Sequence, residues 1–386
     1  MSNIINARSP FFIKVDPVGT EVMDGANLDI KIWSGDITPI PTETTYQINK
    51  TIIGTNNFIN IELSLLIRDF LDTEYYNVNQ GIAGVADDAV WVQVVATPYS
   101  GETDLTPITY SYLAFDGYGY FNEGSNPRTL TDPTTLNNNY TPQVLQDNRI
   151  VFFKRGEDIR IPIFSEPAPS AVTTISGVWD LSDVYWEQSN VNWDATSVPQ
   201  NIVDSDLSQD KIQYLIIDSA QAVTGDTITI TSSVGNSQVD VITLQEIECG
   251  KYEDYRVIFY NKFGALQDIY MSKKSTKNLK VKSDSYKRNI FNSQENEYNA
   301  LRHQKYVFDV TAQESISLNS EFFPEEFNDL VEQIFIAEQI WLALDIQVSP
   351  VVIQSSSLKY KTHTNDKLIQ YGIDFDYSNS FLNSVR

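Results

Sequence analysis

Apolar side chains along this chain come in short runs, or alternate singly with polar ones, which is the period of a half-buried strand. Runs rich in Val, Ile, Tyr, Phe and Thr stand at Phe11 to Val15, Leu28 to Trp33, Val90 to Ala96, Ile150 to Phe153 and Ile159 to Phe164. Others follow at Thr227 to Thr231, Arg256 to Tyr260, Val351 to Gln354 and Tyr371 to Phe375. Turn-forming clusters separate them, among them DPVG at Asp16, SGD at Ser34, GYGYFNEGSNP at Gly117 and TGD at Thr224. From Ile59 the alternation is strict, with Ile59, Ile61, Leu63 and Leu65 against Asn60, Glu62 and Ser64. Strands that do not alternate with long helical patterns predict antiparallel sandwiches, not a parallel α/β sheet.

The expected fold is mainly β: tandem antiparallel β-sandwiches of immunoglobulin-like or fibronectin-like type, then a C-terminal β-sheet domain with one packed α-helix. SEPAPS, with Pro162 just before it and Pro167 and Pro169 inside it, reads as a corner or linker, because each proline fixes φ and removes a ladder donor. This gives N-terminal sandwich structure over 1–165, a central sandwich over 166–266 and an α+β assembly domain over 267–386 with a basic hairpin at 273–288. Trp179, Trp186 and Trp193 stand seven apart, but their flanks do not match and no repeat is predicted.

One helix stands out. Asn319 and Ser320 are candidate caps, Pro324 suits a first helical position, and Glu325 and Glu326 meet the positive end of the dipole. Phe327, Leu330, Val331, Ile334, Ala337 and Trp341 then form one apolar stripe, expected to pack on strands at Trp341 to Val348, Val351 to Gln354 and Leu368 to Tyr377. Glu325, Asp329, Glu332 and Gln339 face the other way.

Composition narrows the class. In 386 residues, enough for two to four domains, 51 acidic and 27 basic side chains leave a net charge of -24, which disfavours generic wrapping of nucleic acid or anionic lipid. An aromatic content of 12% rules out global disorder. A single cysteine, Cys249, cannot close an internal disulfide. The opening residues lack a signal-peptide pattern, and the longest apolar stretch, Ile334 to Leu344, is broken by Glu338 and Gln339, so synthesis and retention in the cytoplasm is expected.

Catalytic chemistry is scarce in the pattern. His303 and His363 stand in no metal spacing and neither is near Cys249, so no zinc site or histidine-based nucleophile system is expected. GYGYFNEG from Gly117 matches neither phosphate-loop spacing and reads as an aromatic turn. Asp374 and Asp376 share one strand face, where a divalent cation could bridge them or where they could simply be solvated or line a subunit rim. Trp179, Tyr185, Trp186 and Trp193 suit either a sugar-stacking platform or ordinary aromatic packing. No cofactor is expected, and the protein reads as a non-enzyme.

Charge is the strongest departure from average. KKSTKNLKVKSDSYKR carries Lys273, Lys274, Lys277, Lys280, Lys282, Lys287 and Arg288 against Asp284 alone, a net of +6 that leaves the rest of the chain near -30. Lys280 and Lys282 would share a strand face. Such a strip fits an acidic surface on an identical neighbour, or a channel through which nucleic acid passes without sequence readout, or plain solvation by counterions.

Three segments carry a resemblance. KYEDYRVIFYNKFGALQDIYMSKKS from Lys251 holds an aromatic strand and a turn at Asn261, Phe263 and Gly264. The stretch from Val331 to the C-terminus holds the Trp341 and Leu342 step and a terminal Lys-Thr, Asn-Asp, Tyr and Phe framework, and AFDGYGYFNEG runs from Ala114. Together they resemble virion structural proteins of tailed bacteriophages of Bacteroidetes hosts, including crAss-like phages. The resemblance implies a homo-oligomeric ring component of the virion neck or tail, contacting other neck and tail proteins, transiently passed by DNA and not bound to membrane. A virion-borne glycan-binding adhesin or fibre component, less readily a depolymerase, is the alternative, with a ligand site around Trp179 to Trp193.

Overall fold

A computed structural model describes residues 4–34, 39–54, 56–71, 89–127, 143–164, 173–178, 198–202, 212–217, 219, 222–231, 238–247, 250–294, 296–299, 301–344, 347–354 and 368–382. The molecule is mainly β and divides into two units. The first comprises Met1–Cys249 with Phe259–Asp268, the second Gly250–Ile258 with Ile269–Arg386. No helix among the described residues is long and apolar enough to cross a membrane.

The first unit opens with β1 (Ile4–Asn6), β2 (Phe12–Val15), β3 (Gly25–Ser34), β4 (Tyr46–Thr51), β5 (Ile59–Glu62), β6 (Ala89–Ser100), β7 (Thr103–Asp104) and β8 (Ile108–Phe115). The main sheet has the order β1-β8-β6-β3-β4, with β7 on β6, and β2 pairs with β5 as a second layer. Alternation decides which faces meet: Leu28, Ile30 and Ile32 from β3 and Val90, Val92, Val94 and Ala96 from β6 bury against Ile13, Val15, Ile59 and Ile61 of the two-stranded layer. The strict alternation expected through Leu65 stops at Leu63. A short helix α1 (Ser64–Arg68) begins there, burying Leu63 and Ile67 four apart and leaving Leu65 71% exposed.

Eight further strands follow: β9 (Gln143–Val144), β10 (Ile150–Phe153), β11 (Ile159–Phe164), β12 (Thr173–Val178), β13 (Val198–Ile202), β14 (Ile212–Ile217), β15 (Thr227–Thr231) and β16 (Gln238–Glu246). One sheet has the order β10-β16-β15-β12-β13 and the other β14-β11-β9. Their common core includes Val144, Phe153, Ile159, Ile161, Ile163, Ile228, Ile242 and Leu244. Position for position this is the first sandwich again. β10, β16, β15, β12 and β13 take the places of β1, β8, β6, β3 and β4, while β11 and β14 take those of β2 and β5. Strand directions match too, including one parallel pair in each: β1 beside β8, and β10 beside β16. The expected all-antiparallel pairing is corrected at these two places, where the opening strand runs alongside the closing strand and the whole sandwich serves as the long crossover that parallel pairing needs. The repeat is invisible in the sequence because topology is preserved by burial pattern, not by residue identity. β9 to β11 lie before residue 165 yet pair within this second sandwich, so the border expected at 165/166 falls inside it.

A hairpin of β17 (Tyr255–Tyr260) and β18 (Leu266–Met271) has its turn in the first unit. Asn261, fully buried, accepts hydrogen bonds at Oδ1 from the N–H of Phe263 and Ala265, and donates from Nδ2 to the carbonyl of Leu145 and Oε1 of Gln267. The Tyr118 N–H donates to the Lys262 carbonyl, and the Tyr214 hydroxyl accepts from Leu266 N–H. Gly264 has φ +78°, and a Cβ there would lie 2.9 Å from the Asp116 backbone. The turn is thus gripped by both sandwiches.

In the second unit the sheet order is β18-β17-β24-β25-β27-β22-β19, using β19 (Lys273–Lys287), β22 (Lys305–Asn319), β24 (Ile340–Leu344), β25 (Gln347–Ile353) and β27 (Gly372–Tyr377). Small pairs β20 (Phe291–Asn292) with β21 (Glu297–Tyr298), and β23 (Phe323–Pro324) with β26 (Leu368–Ile369), complete it. Helix α2 (Asn328–Ile336), preceded by a 3-10 turn at Glu325–Phe327, buries Phe327, Leu330, Val331 and Ile334 as the stripe predicts. Two expectations are corrected. Pro324 sits before the first helical turn, in β23, and the helix ends at Ile336, since Ala337 turns to ψ 132° and Trp341 belongs to β24. The run Ile340 to Leu344 is apolar at every position, and a strand buried on both faces satisfies that run better than a one-sided helix.

Candidate assembly surface

The basic segment 273–288 does not fold as a hairpin on its own. It is one fifteen-residue strand, β19, the edge of the seven-stranded sheet, and its partner is the equally long β22. β22 pairs with β27 only over Ser315–Asn319, whereas β19 and β22 stay paired out to Lys287 opposite Lys305. Beyond Ser315 no further strand among the described residues pairs with these two, which form an arm about 30 Å long at the usual rise of a strand, flanked near its root by the C-terminal segment, where Phe381 N–H donates to the Ala312 carbonyl. Its tip is tied locally: Asn289 Oδ1 accepts from Phe291 N–H, Asn299 Oδ1 accepts from Leu301 N–H, and the rings of Phe291 and Tyr298 meet edge to face at 5.9 Å.

Register assigns the faces. Lys277 opposite Ile316, Leu279 opposite Glu314 and Val281 opposite Ala312 continue the core face of the sheet, where Ile316 pairs with Phe375. Lys280 opposite Gln313 and Lys282 opposite Thr311 share the other face, as their spacing predicts. A register shift between Asp284 and Ser285 precedes an aromatic group in which Tyr286 lies 5.6 Å from Tyr306 and 6.1 Å from Phe308.

The seven basic residues occupy different settings. Lys273 is bound at the root, 2.7 Å from Glu321. Burial pushes the Glu321 carboxyl up, but hydrogen bonds from Lys273, the Phe322 N–H and Ser272 outweigh it and hold the group below its ordinary value. Lys277 lies 5.9 Å over the Tyr255 ring, and the carbonyl of Lys274 accepts from Asn319 Nδ2. Lys280 and Lys282 are exposed along the arm. Arg288 lies 5.2 Å over the Tyr306 ring and donates to the His303 carbonyl. Lys287 directly opposes Lys305, an unfavourable like-charge pair.

Sequence reasoning missed the apolar half of this surface. Leu279, Val281, Tyr286, Tyr306, Phe308 and Val310 are each at least 40% exposed, as are Phe291, Tyr298 and Leu301 at the tip. The signal was present in the alternation of KNLKVK and in KYVFDV, but lysines hid it. At the arm's root, on its core-side face, lies a concavity of about 300 Å³ lined by Tyr255, Lys277, Glu314, Leu342, Leu344, Tyr377 and Phe381 among others. Burial, reinforced by the Glu253 carboxylate that accepts from its hydroxyl, pushes Tyr255 up to about 12; burial also raises Tyr377.

Asp374 and Asp376 pair with Ser317 and Ser315 on one face of β27, and no group of three His, Cys, Asp or Glu placed to hold a metal occurs among the described residues. Gly117 to Gly124 forms a turn closed by a 3-10 segment at Phe121–Glu123. Trp179, Tyr185, Trp186, Trp193, Cys249 and His363 lie outside the described residues. No family model matches the chain, and no curated protein matches it in sequence.

Proposed function

We propose that this chain is a non-enzymatic structural protein of a bacteriophage virion, a homo-oligomeric ring component of the neck or tail, built from tandem immunoglobulin-like modules and an assembly domain. The observation that carries this reading is the arm. A two-stranded ribbon is marginal in water by itself, and this one exposes aliphatic and aromatic side chains along its length. Such an element is used when a partner covers it. The lysines on edge strand β19 oppose indiscriminate strand pairing, which favours a chosen partner over aggregation. An identical copy fits, since the chain apart from the strip is strongly acidic. Assembly would take place in the host cytoplasm, with other neck or tail proteins as further neighbours and DNA passing without sequence readout.

Reversing Lys277, Lys280 and Lys282 to Glu tests the electrostatic part. The triple variant should keep its circular dichroism and sediment as smaller species than wild type at low salt. Wild-type oligomers should weaken as salt rises past about 0.15 M, where screening shortens to ~8 Å. Sedimentation identical to wild type at every salt would refute a role for the strip.

A further inference from the structure

Resting on the oligomeric reading, we infer that the tip of one arm, Phe291, Tyr298 and Leu301, docks into the concavity at the arm root of a second copy, joining subunits head to tail. Three observations meet in this pairing. The tip is the most exposed apolar group of the arm: Leu301 is 96% exposed and Tyr298 74%, and the Phe291 and Tyr298 rings are already held against each other as a preformed knob. The root concavity, about 300 Å³, mixes apolar Leu342 and Leu344 and the rings of Tyr255 and Tyr377 with polar Gln347, Ser349 and Asn379, a size and lining suited to one or two large side chains of which one is a tyrosine. Charges complement: Glu297 beside Tyr298 and Arg302 beside Leu301 meet Lys277 and Glu314 at the rim. A tip held about 30 Å from its own root by a paired ribbon cannot fill that root, so the knob and socket of one chain are satisfied only by other chains. One knob and one socket per chain make a heterologous contact, the kind that propagates and closes into rings.

The test uses two variants of the full chain, Tyr298→Ala with Leu301→Asp at the tip and Leu344→Lys at the socket, followed by sedimentation velocity alone and mixed. Each alone should lose self-association by roughly 30-fold or more, as for removal of a buried anchor. Mixed in equal amounts they should form one-to-one dimers and stop there, because each dimer keeps one intact contact and two dead ends. Wild-type assembly by either variant would overturn the inference, and so would two monomeric variants that fail to pair. If Leu344→Lys melts early, Lys277→Glu at the exposed rim replaces it, with rescue expected from Glu297→Lys. A wild-type chain that stays monomeric at all concentrations would instead refute the oligomeric reading itself.

Discussion

Asn261 ties the turn between β17 and β18 into the first unit. Its side chain makes four hydrogen bonds in a fully buried turn, two within the turn and two to other residues of the first unit, so truncation strands several polar groups at once. Asn261→Ala should cost about 2–4 kcal/mol of stability, measured by denaturant unfolding, and a loss below ~1 kcal/mol would show that the turn is not gripped as described. Tyr255 gives a second residue-scale test. Its folded value near 12 stands above the ordinary 10.0, so the stability it contributes is complete below pH 10 and disappears as pH rises through 12. Tyr255→Phe should flatten the fall in unfolding free energy between pH 10 and 12; an unchanged slope would contradict the burial of that hydroxyl.

Among the elements, α2 and β24 show where periodicity is and is not informative. Phe327 to Ile334 was legible as a helix because the apolar positions recur every three or four residues, and all four stripe residues there are buried. Trp341 continued the same spacing by coincidence, while the unbroken apolar run around it made a strand. Ile334→Ala should lower the stability of the monomer by about 2–5 kcal/mol through lost burial and a cavity, read at a protein concentration where both variants are monomeric. A wild-type melting temperature would mean the stripe is covered by another subunit. In the sandwiches β2, β3, β5, β6, β10, β11 and β15 were legible from short apolar runs or alternation, as in Leu28, Ile30 and Ile32, whereas β4, β8, β12, β13, β14 and β16 were not. Parallel pairing of β1 and β10 was not, since a three- or four-residue strand carries no directional signal. Prolines at 162, 167 and 169 suggested a border where β11 instead enters a sheet, with Pro162 opposite Tyr214. In the candidate site the seven charges were plain, but their separation into a bound root, an open face and a tip depends on the register of β22, thirty residues away.

At the scale of the whole molecule, the chain comprises two sandwiches of one topology and a sheet domain that carries a two-stranded arm. The sandwiches have their own cores. The arm leaves a row of apolar side chains in water and carries the basic strip of an otherwise acidic chain, so it is the element proposed to meet another copy. Ring formation in the proposed role therefore requires that the arm drive self-association. The direct measurement is the mass in solution of the full chain and of a chain in which residues 280–313 are replaced by Asn-Gly. That turn joins Leu279 to Glu314, a directly opposed pair suited to a two-residue connection. A closed oligomer is expected for the full chain and a folded monomer for the shortened one. Equal masses for the two would contradict that role.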